Sequence, residues 1–323
     1  MKVVITDHHY SDLGAAMEVL TRAGLDVVIG ACRNEDDAIA LGADADAVIN
    51  QHVALSGTVL DAWPRCRGIV HFGKGVDNID VAAATSRGIW VANVRDANWD
   101  EVSNHVLALL LGWARALFVF DRHVRSGGWS YRAGAPRRRL AGQVLGIVGL
   151  GDIGRTLAVK ARGLGLEVLV HARHRTEDTH VTFVELDELL RRADFVSLHV
   201  PLTRETARMI GARELSLMKP TAFLVNTSRG GIIDQEALVA ALRGRQIAGA
   251  GLDVTDPEPP APDDPLLRLD NVILTPHVAW YSEESREDVT VGAAHEIVRI
   301  LRGEQPRSPV NPEVVPRRLR LGS

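Results

Sequence analysis

Short runs of β-branched and other apolar residues recur along this chain at the spacing of βα units, and they do so in two separate series. In residues 1–97 the runs KVVIT, DVVIG, AVIN, GIVHF and WVANV alternate with helix-like stretches of ten or so residues. From Gln143 the rhythm resumes with VLGIVGL, EVLVHA, DFVSLHV, AFLVNTS, IAGAGLDV and NVILTPH. Uninterrupted apolar runs, as opposed to alternating ones, belong to strands buried on both faces, which is the condition of a parallel sheet covered by helices. The sequence therefore predicts an α/β protein with two doubly wound parallel-sheet domains, one of five strands and one of six. With 46% hydrophobic residues in 323, there is enough apolar mass for two cores. A long helical segment is expected from about Asn98 to Arg125, with Asp100 and Glu101 suited to the positive end of the helix dipole. A last helix is expected from about Glu283 to Arg302. A long helix leaving one domain and a terminal helix leaving the other imply that the chain returns. The expected partition is 1–97 plus 285–323 for the first domain and 98–284 for the second.

The first strand of the second series runs into GIVGLGDIG. Gly149, Gly151 and Gly154, with Leu150, Asp152 and Ile153 between them, fit the dinucleotide fingerprint. The first glycine permits a tight turn, the second lets a pyrophosphate approach the backbone, and the third lets helix and strand pack closely. The helix that opens near Asp152 points unpaired N–H groups at the phosphates. The next strand ends where an acid would bind the ribose hydroxyls of NAD, and here Ala172 and Arg173 stand in that place, followed by His174 and Arg175. A carboxylate would repel a 2′-phosphate; Ala172 does not, and a guanidinium beside it attracts one. This favours NADP as the preferred cofactor, with NAD also accepted. The competing explanation is that Arg173 and Arg175 are solvated loop charges and that NAD binds without the acid.

Net charge is −4, so there is no basic excess for a nucleic-acid partner. The N-terminus MKVVITDHHY lacks the apolar core and cleavage site of a signal peptide. The most apolar stretch, HVLALLLGWARALFVF, carries Arg115 and falls short of a membrane span. Cys32 and Cys66 are too few for a disulfide framework and lie in no metal-spaced cluster. The expectation is a cytoplasmic protein without a bound metal or membrane partner.

Three later segments put reactive side chains just after strands, at the edge where open α/β sheets bind ligands. VNTSRGGIID places Arg229 there, GLDVTDPEPP places Asp253 and Glu258, and TPHVAWY places His277. Taken singly, each has an ordinary structural explanation: a surface charge, a turn acid, a satisfied core histidine. Together, in this order and with FGKGVDNID and the glycine fingerprint, they resemble the D-isomer-specific 2-hydroxyacid dehydrogenase family over residues 1 to about 303. TPHVAWYSEES is most similar to the branch that includes the C-terminal-binding-protein corepressors.

The resemblance implies a flavodoxin-like substrate domain and a Rossmann cofactor domain, with the active site in the cleft that separates them and closure excluding water. It implies that Arg229 holds the carboxylate and keto oxygen of the substrate, and that His277 is the general acid of reduction and the base of oxidation. Glu258 would pair with His277 and favour its imidazolium form. Phe72, Gly73, Lys74, Gly75 and Val76 would offer backbone N–H groups to the carboxylate. Asp253 matches the position that binds the nicotinamide carboxamide, and His199, Val200, Pro201, Thr227 and Ser228 lie in segments that run along the cofactor. Trp280 is either packing or the wall of a pocket for the substrate side chain, as are His52, Trp99 and Tyr281. The family also implies a homodimer through 98–125 and the loop that follows.

Two positions depart from the pattern. Arg95 stands where the family often has proline, and Lys74 where it often has a small or neutral residue. An ammonium there favours a second anionic group on the substrate, or merely supplements Arg229. The expected reaction is hydride transfer between NADPH and a small 2-keto acid or D-2-hydroxy acid. The alternatives are a nucleotide-sensing, corepressor-like binding module, and a phosphite or phosphonate-alcohol dehydrogenase.

Overall fold

The computed structural model describes residues 1–175 and 181–317. It divides into two compact units, Met1–Asn98 with the segment from Ser282 onward, and Trp99–Tyr281. In the first unit the strands β1 (Lys2–Ile5), β2 (Asp26–Ile29), β3 (Ala47–Asn50), β4 (Gly68–His71) and β5 (Trp90–Asn93) form one parallel sheet in the order β2-β1-β3-β4-β5. Val3, Val4, Ile5, Val48, Ile49, Ile69 and Val70 are wholly buried, which is why these strands read as continuous apolar runs. Helices α1 (Gly14–Arg22), α2 (Glu35–Gly42), α3 (Gly57–Asp61) and α4 (Val81–Ser86) connect them. Asn34 and Asp80 cap α2 and α4 by accepting the N–H groups of Asp37 and Ala83.

The terminal helix Glu283–Leu301 packs on this sheet. Ile300 fills the place where a side chain on Gly68 would lie, 2.7 Å from the position of its Cβ. The Arg67 guanidinium donates to the carbonyls of Leu301 and Ile300, at 2.9 and 3.1 Å, capping that helix's C-terminus. Beyond it, Asn311 takes the Val91 N–H and donates to the Ile89 carbonyl, so the tail is fastened along β5.

In the second unit, α5 (Trp99–Ala114) and α6 (Leu117–Arg125) precede the sheet. One continuous helix was expected here; the structure has two, meeting at 58°. Ala116 adopts a left-handed conformation with φ of 51°, and it is buried where the 3-10 turn Tyr131–Gly134 comes down on it. Gly134 lies so close to Ala116 and Phe120 that a Cβ there would stand 2.9 and 2.5 Å from them. Among the described residues no single helix is long and apolar enough to cross a membrane; only this bent pair approaches that length.

The sheet comprises β6 (Val144–Val148), β7 (Glu167–His171), β8 (Thr182–Phe183), β9 (Phe195–Leu198), β10 (Phe223–Asn226), β11 (Gly249–Leu252) and β12 (Val272–Leu274) in the order β12-β11-β10-β9-β6-β7-β8, all parallel. Six of these were expected; the two-residue β8 is additional. Helices α7 (Asp152–Gly163), α8 (Leu186–Arg192), α9 (Ala212–Leu217) and α10 (Gln235–Arg243) cover the sheet with α5. One face buries Leu189, Leu190, Leu215, Leu238 and Leu242, and the other Val106, Leu109, Leu110, Leu157 and Phe223.

Candidate active site

The three fingerprint glycines are distinguished by what surrounds them. Gly149 has φ of 98°, and a Cβ on it would lie 2.6 Å from the His199 carbonyl oxygen, so no other residue fits this turn. A Cβ on Gly154 would stand 2.5 Å from the Gly149 carbonyl oxygen, which fixes the approach of α7 to the turn. Around Gly151 no atom lies within 4 Å of the Cβ position. That open space, in front of the first-turn N–H groups of Asp152, Ile153 and Gly154, is the room a pyrophosphate requires. Leu150 packs against the core beneath.

The rim where the adenosine ribose would lie begins at Ala172, directly after β7. Arg173 and His174 are exposed. Arg175 is engaged elsewhere: its guanidinium donates to Glu185 at 2.7 Å, which leaves Arg173 as the better placed cation. The Thr203 hydroxyl, and more weakly Arg173, hold the exposed Glu205 carboxyl below its usual range.

Deeper along the same edge, His199 Nε2 lies 2.8 Å from Ser197 Oγ, and the Ser228 hydroxyl donates to the Leu198 carbonyl at 2.9 Å. The Pro201 carbonyl accepts from Thr206 at 2.6 Å, and Val200 borders Gly149. Thr227 Oγ1 is buried and has no hydrogen-bonding partner among the described residues. A buried hydroxyl without a partner is costly unless a bound group supplies one. Together with the glycine turn it fits a dinucleotide along this edge.

Arg229 follows β10 in a tightly packed turn. Its carbonyl accepts from Asn226 Nδ2, and its guanidinium donates to the Ser228 carbonyl at 2.8 Å. A Cβ on Gly230 would be 2.0 Å from the Thr255 carbonyl oxygen, so this glycine lets the Arg229 turn press on the segment that carries Glu258. Glu258 Oε2 lies 2.8 Å from His277 Nδ1, and Glu258 Oε1 accepts the Thr255 N–H at 3.0 Å. Burial pushes the Glu258 carboxyl up, but the His277 hydrogen bond and charge, the Thr255 N–H and the Arg229 guanidinium outweigh it. The net effect holds Glu258 below the usual carboxylate range. With Nδ1 engaged by Glu258, His277 Nε2 is the nitrogen left to exchange a proton with a substrate.

His277 itself has φ of 51°, a strained conformation for a non-glycine residue. Asp253 holds it there. Its side chain is fully buried, and Oδ1 accepts from Thr275 Oγ1 (2.6 Å) and the Val278 N–H (2.9 Å). Oδ2 accepts the Ala279 N–H at 2.9 Å, and the Asp253 carbonyl accepts the His277 N–H at 2.8 Å. Three bonds to the histidine loop occupy the carboxylate expected to meet the nicotinamide. Trp280 Nε1 donates to the His277 carbonyl, and its ring meets Tyr281 edge-on.

In the first unit, the loop after β4 does not offer every N–H that the sequence promised. The Phe72 N–H bonds the Asn50 carbonyl and the Gly73 N–H the His71 carbonyl, at 2.9 and 3.0 Å; Phe72 is buried against Tyr10. The Phe72 and Gly73 N–H groups are thereby engaged within the loop, and the Lys74 carbonyl is held by Asn93 Nδ2 at 2.6 Å. The loops after β1 and β3 bring His9 Nδ1 to 2.9 Å from His52 Nε2. Among the described residues no group of three or more His, Cys, Asp or Glu is arranged to hold a metal.

Sequence reasoning missed Thr275 and His105. His105 stands between the polar Ser103–Asn104 and the apolar run that begins at Val106, with nothing in the sequence to mark it, and it lies 3.0 Å from the Thr275 hydroxyl.

Residues 107–279 match the family model for the NAD-binding domain of D-isomer specific 2-hydroxyacid dehydrogenases. The chain is 44% identical over 281 residues to a glyoxylate reductase from Korarchaeum cryptofilum, covering 84% of each chain. The chain belongs to the D-isomer-specific 2-hydroxyacid dehydrogenase family. Its structure is similar to that of the TT0316 protein from Thermus thermophilus, with a TM-score of 0.88 and 35% identity over 96% of this chain and all of that one. It is also similar to an NADPH-dependent glyoxylate/hydroxypyruvate reductase from Sinorhizobium meliloti, solved with NADP and malonate. That match has a TM-score of 0.87 and 29% identity, and covers 98% and 99% of the two chains. Family membership makes the chain a NAD(P)-dependent oxidoreductase of 2-hydroxy acids; these relatives do not single out the corepressor branch.

Proposed function

We propose that the enzyme reduces a small 2-keto acid to the D-2-hydroxy acid with NADPH. The observation that carries this is the 2.8 Å bond joining Glu258 to His277, on a loop held in register by Asp253, with Arg229 close enough to lower the Glu258 carboxyl. A bound nicotinamide supplies the hydride. Arg229 holds the carboxylate and polarises the keto oxygen through directed, charge-assisted bonds. His277, protonated and paired with Glu258, gives its Nε2 proton to the oxygen as negative charge develops there. In the reverse direction the neutral imidazole takes the hydroxyl proton.

Preference for NADPH rests on the uncharged Ala172 and on Arg173 beside it, and is supported by the NADP-bound relative. A second anionic group on the substrate rests on Lys74. Homodimer formation is supported by α6, which buries none of its residues within the chain, and by the exposed Leu117, Phe118, Trp129 and Tyr131 nearby. The two thiols are free and buried, which suits the reducing cytoplasm. His277→Gln tests the assignment: turnover should fall at least about 100-fold, the scale of general acid catalysis, with NADPH binding retained. Near-wild-type turnover would refute it.

A further inference from the structure

The His277 loop is anchored by a chain of hydrogen bonds that reaches a different element, the helix α5. His105 Nε2 lies 3.0 Å from Thr275 Oγ1, and Thr275 Oγ1 lies 2.6 Å from Asp253 Oδ1. The direction of these bonds follows from the chemistry of the three groups. The Asp253 carboxylate also takes the N–H groups of Val278 and Ala279 and is an acceptor throughout. The single hydroxyl proton of Thr275 is therefore donated to it. The Thr275 oxygen then accepts from His105, which places a proton on His105 Nε2. The same nitrogen is 3.7 Å from Asp253 Oδ1, so this N–H also lies beside the buried carboxylate charge. His105 is itself fixed by its flanks, since Val106, Leu109 and Leu110 on α5 are buried in the core against the sheet.

We propose that His105 is a positioning residue for catalysis. Through Thr275 it orients the Asp253 carboxylate, and Asp253 in turn holds the His277 backbone in its left-handed conformation, so that the imidazole meets Glu258. Backbone strain of this kind persists only where surrounding contacts over-determine it. Without the donor on α5, the Thr275 hydroxyl keeps only its bond to Asp253 and loses the partner that fixes its position from behind, and the loop relaxes toward an unstrained conformation in which the Glu258–His277 bond lengthens. The proposal rests on the assignment of His277 as proton donor.

The test compares His105→Gln, His105→Leu, Thr275→Ser, Thr275→Val and the double variant His105→Leu/Thr275→Val. Gln and Ser keep the donor and the hydroxyl and should stay within about threefold of wild type. Leu and Val should lower kcat by about 10- to 100-fold, the range for groups that orient a reactive residue from behind. The KM for keto acid and the Kd for NADPH should change by less than about threefold. The double variant should be no worse than the weaker single one, because the two residues form one chain. A wild-type kcat in His105→Leu, additive losses in the double variant, or failure of Gln to rescue would overturn the proposal. A readout that needs no turnover separates this failure from failure of the functional assignment. Long-range ¹H–¹⁵N spectra of the histidine rings should show His105 protonated at Nε2, and the His277 ring signals should move in His105→Leu. An absence of keto-acid turnover in wild type with those ring signals intact would sink the functional assignment alone; unmoved His277 signals would sink the positioning role.

Discussion

Replacing Glu258 by Gln keeps the shape of the site and removes one charge. In the native enzyme the carboxylate oxygen is 2.8 Å from His277 Nδ1, so the centres of charge of carboxylate and imidazolium are about 4 Å apart. At that separation the attraction is about 1 kcal/mol in water and about 4 kcal/mol at the effective dielectric of a protein surface. Both side chains are substantially solvated, 37% exposed for Glu258 and 45% for His277, so the smaller figure is weighted more heavily, giving about 1–2 kcal/mol. Because the His277 bond helps hold Glu258 below the usual carboxylate range, its charge is present at neutral pH and is lost only as pH falls through that lowered value. Removing the charge withdraws about 1–2 kcal/mol of support from the proton donor, and since about 1.4 kcal/mol is tenfold, kcat for reduction in Glu258→Gln should fall by about 5- to 30-fold at pH 7. Initial rates of keto-acid reduction by the two proteins measure this ratio. An unchanged kcat in Glu258→Gln would refute the pairing of Glu258 with His277.

Ala172→Asp restores the acid at the ribose and should lower the NADPH-to-NADH ratio of kcat/KM by about 10-fold or more, through repulsion of the 2′-phosphate and a new ribose contact; an unchanged ratio would mean that this rim does not read the phosphate. Gly154→Ala places a methyl 2.5 Å from the Gly149 carbonyl oxygen and should cost about 1–3 kcal/mol in folding or cofactor affinity, read by thermal melts with and without NADPH. Lys74→Ala should raise the KM for oxaloacetate or phosphonopyruvate at least about 10-fold more than that for glyoxylate, if the ammonium binds a second anion; equal changes would confine Lys74 to the common carboxylate. Burial pushes the Cys66 thiol up to about 12, so it should resist iodoacetamide at pH 8 until the protein unfolds, as mass spectrometry would show.

The strands were legible because burial on both faces leaves a compact signature, as in Val3–Ile5 and Leu145–Val148. The glycine turn was legible because each of its positions has its own steric demand. The break at Ala116 was not: Ala114, Arg115, Ala116 and Leu117 are all good helix formers, and the bend comes from a turn near Gly134 pressing on Ala116 from outside. β8 was missed because two residues, Thr182 and Phe183, carry no period. In the site, Arg229, Glu258 and His277 were found as an ordered set of strand-end residues. That Asp253 would serve the histidine loop was hidden, since its partners Thr275, Val278 and Ala279 contribute mostly backbone groups. His105 was hidden for another reason: its partner Thr275 lies 170 residues away, and only the packing of α5 on the sheet brings them together. The N–H groups of Phe72 and Gly73 failed as predicted donors because neighbouring carbonyls had already taken them.

Keto-acid reduction through His277 is measured by initial rates of NADPH oxidation with glyoxylate, hydroxypyruvate, phenylpyruvate, oxaloacetate and phosphonopyruvate, run beside the same series with NADH and with His277→Gln as control. Turnover should be saturable and keto-acid-dependent, should favour NADPH, and should disappear in the variant while NADPH still binds. Absence of turnover with every acid and both cofactors, or undiminished turnover in His277→Gln, would contradict keto-acid reduction through His277.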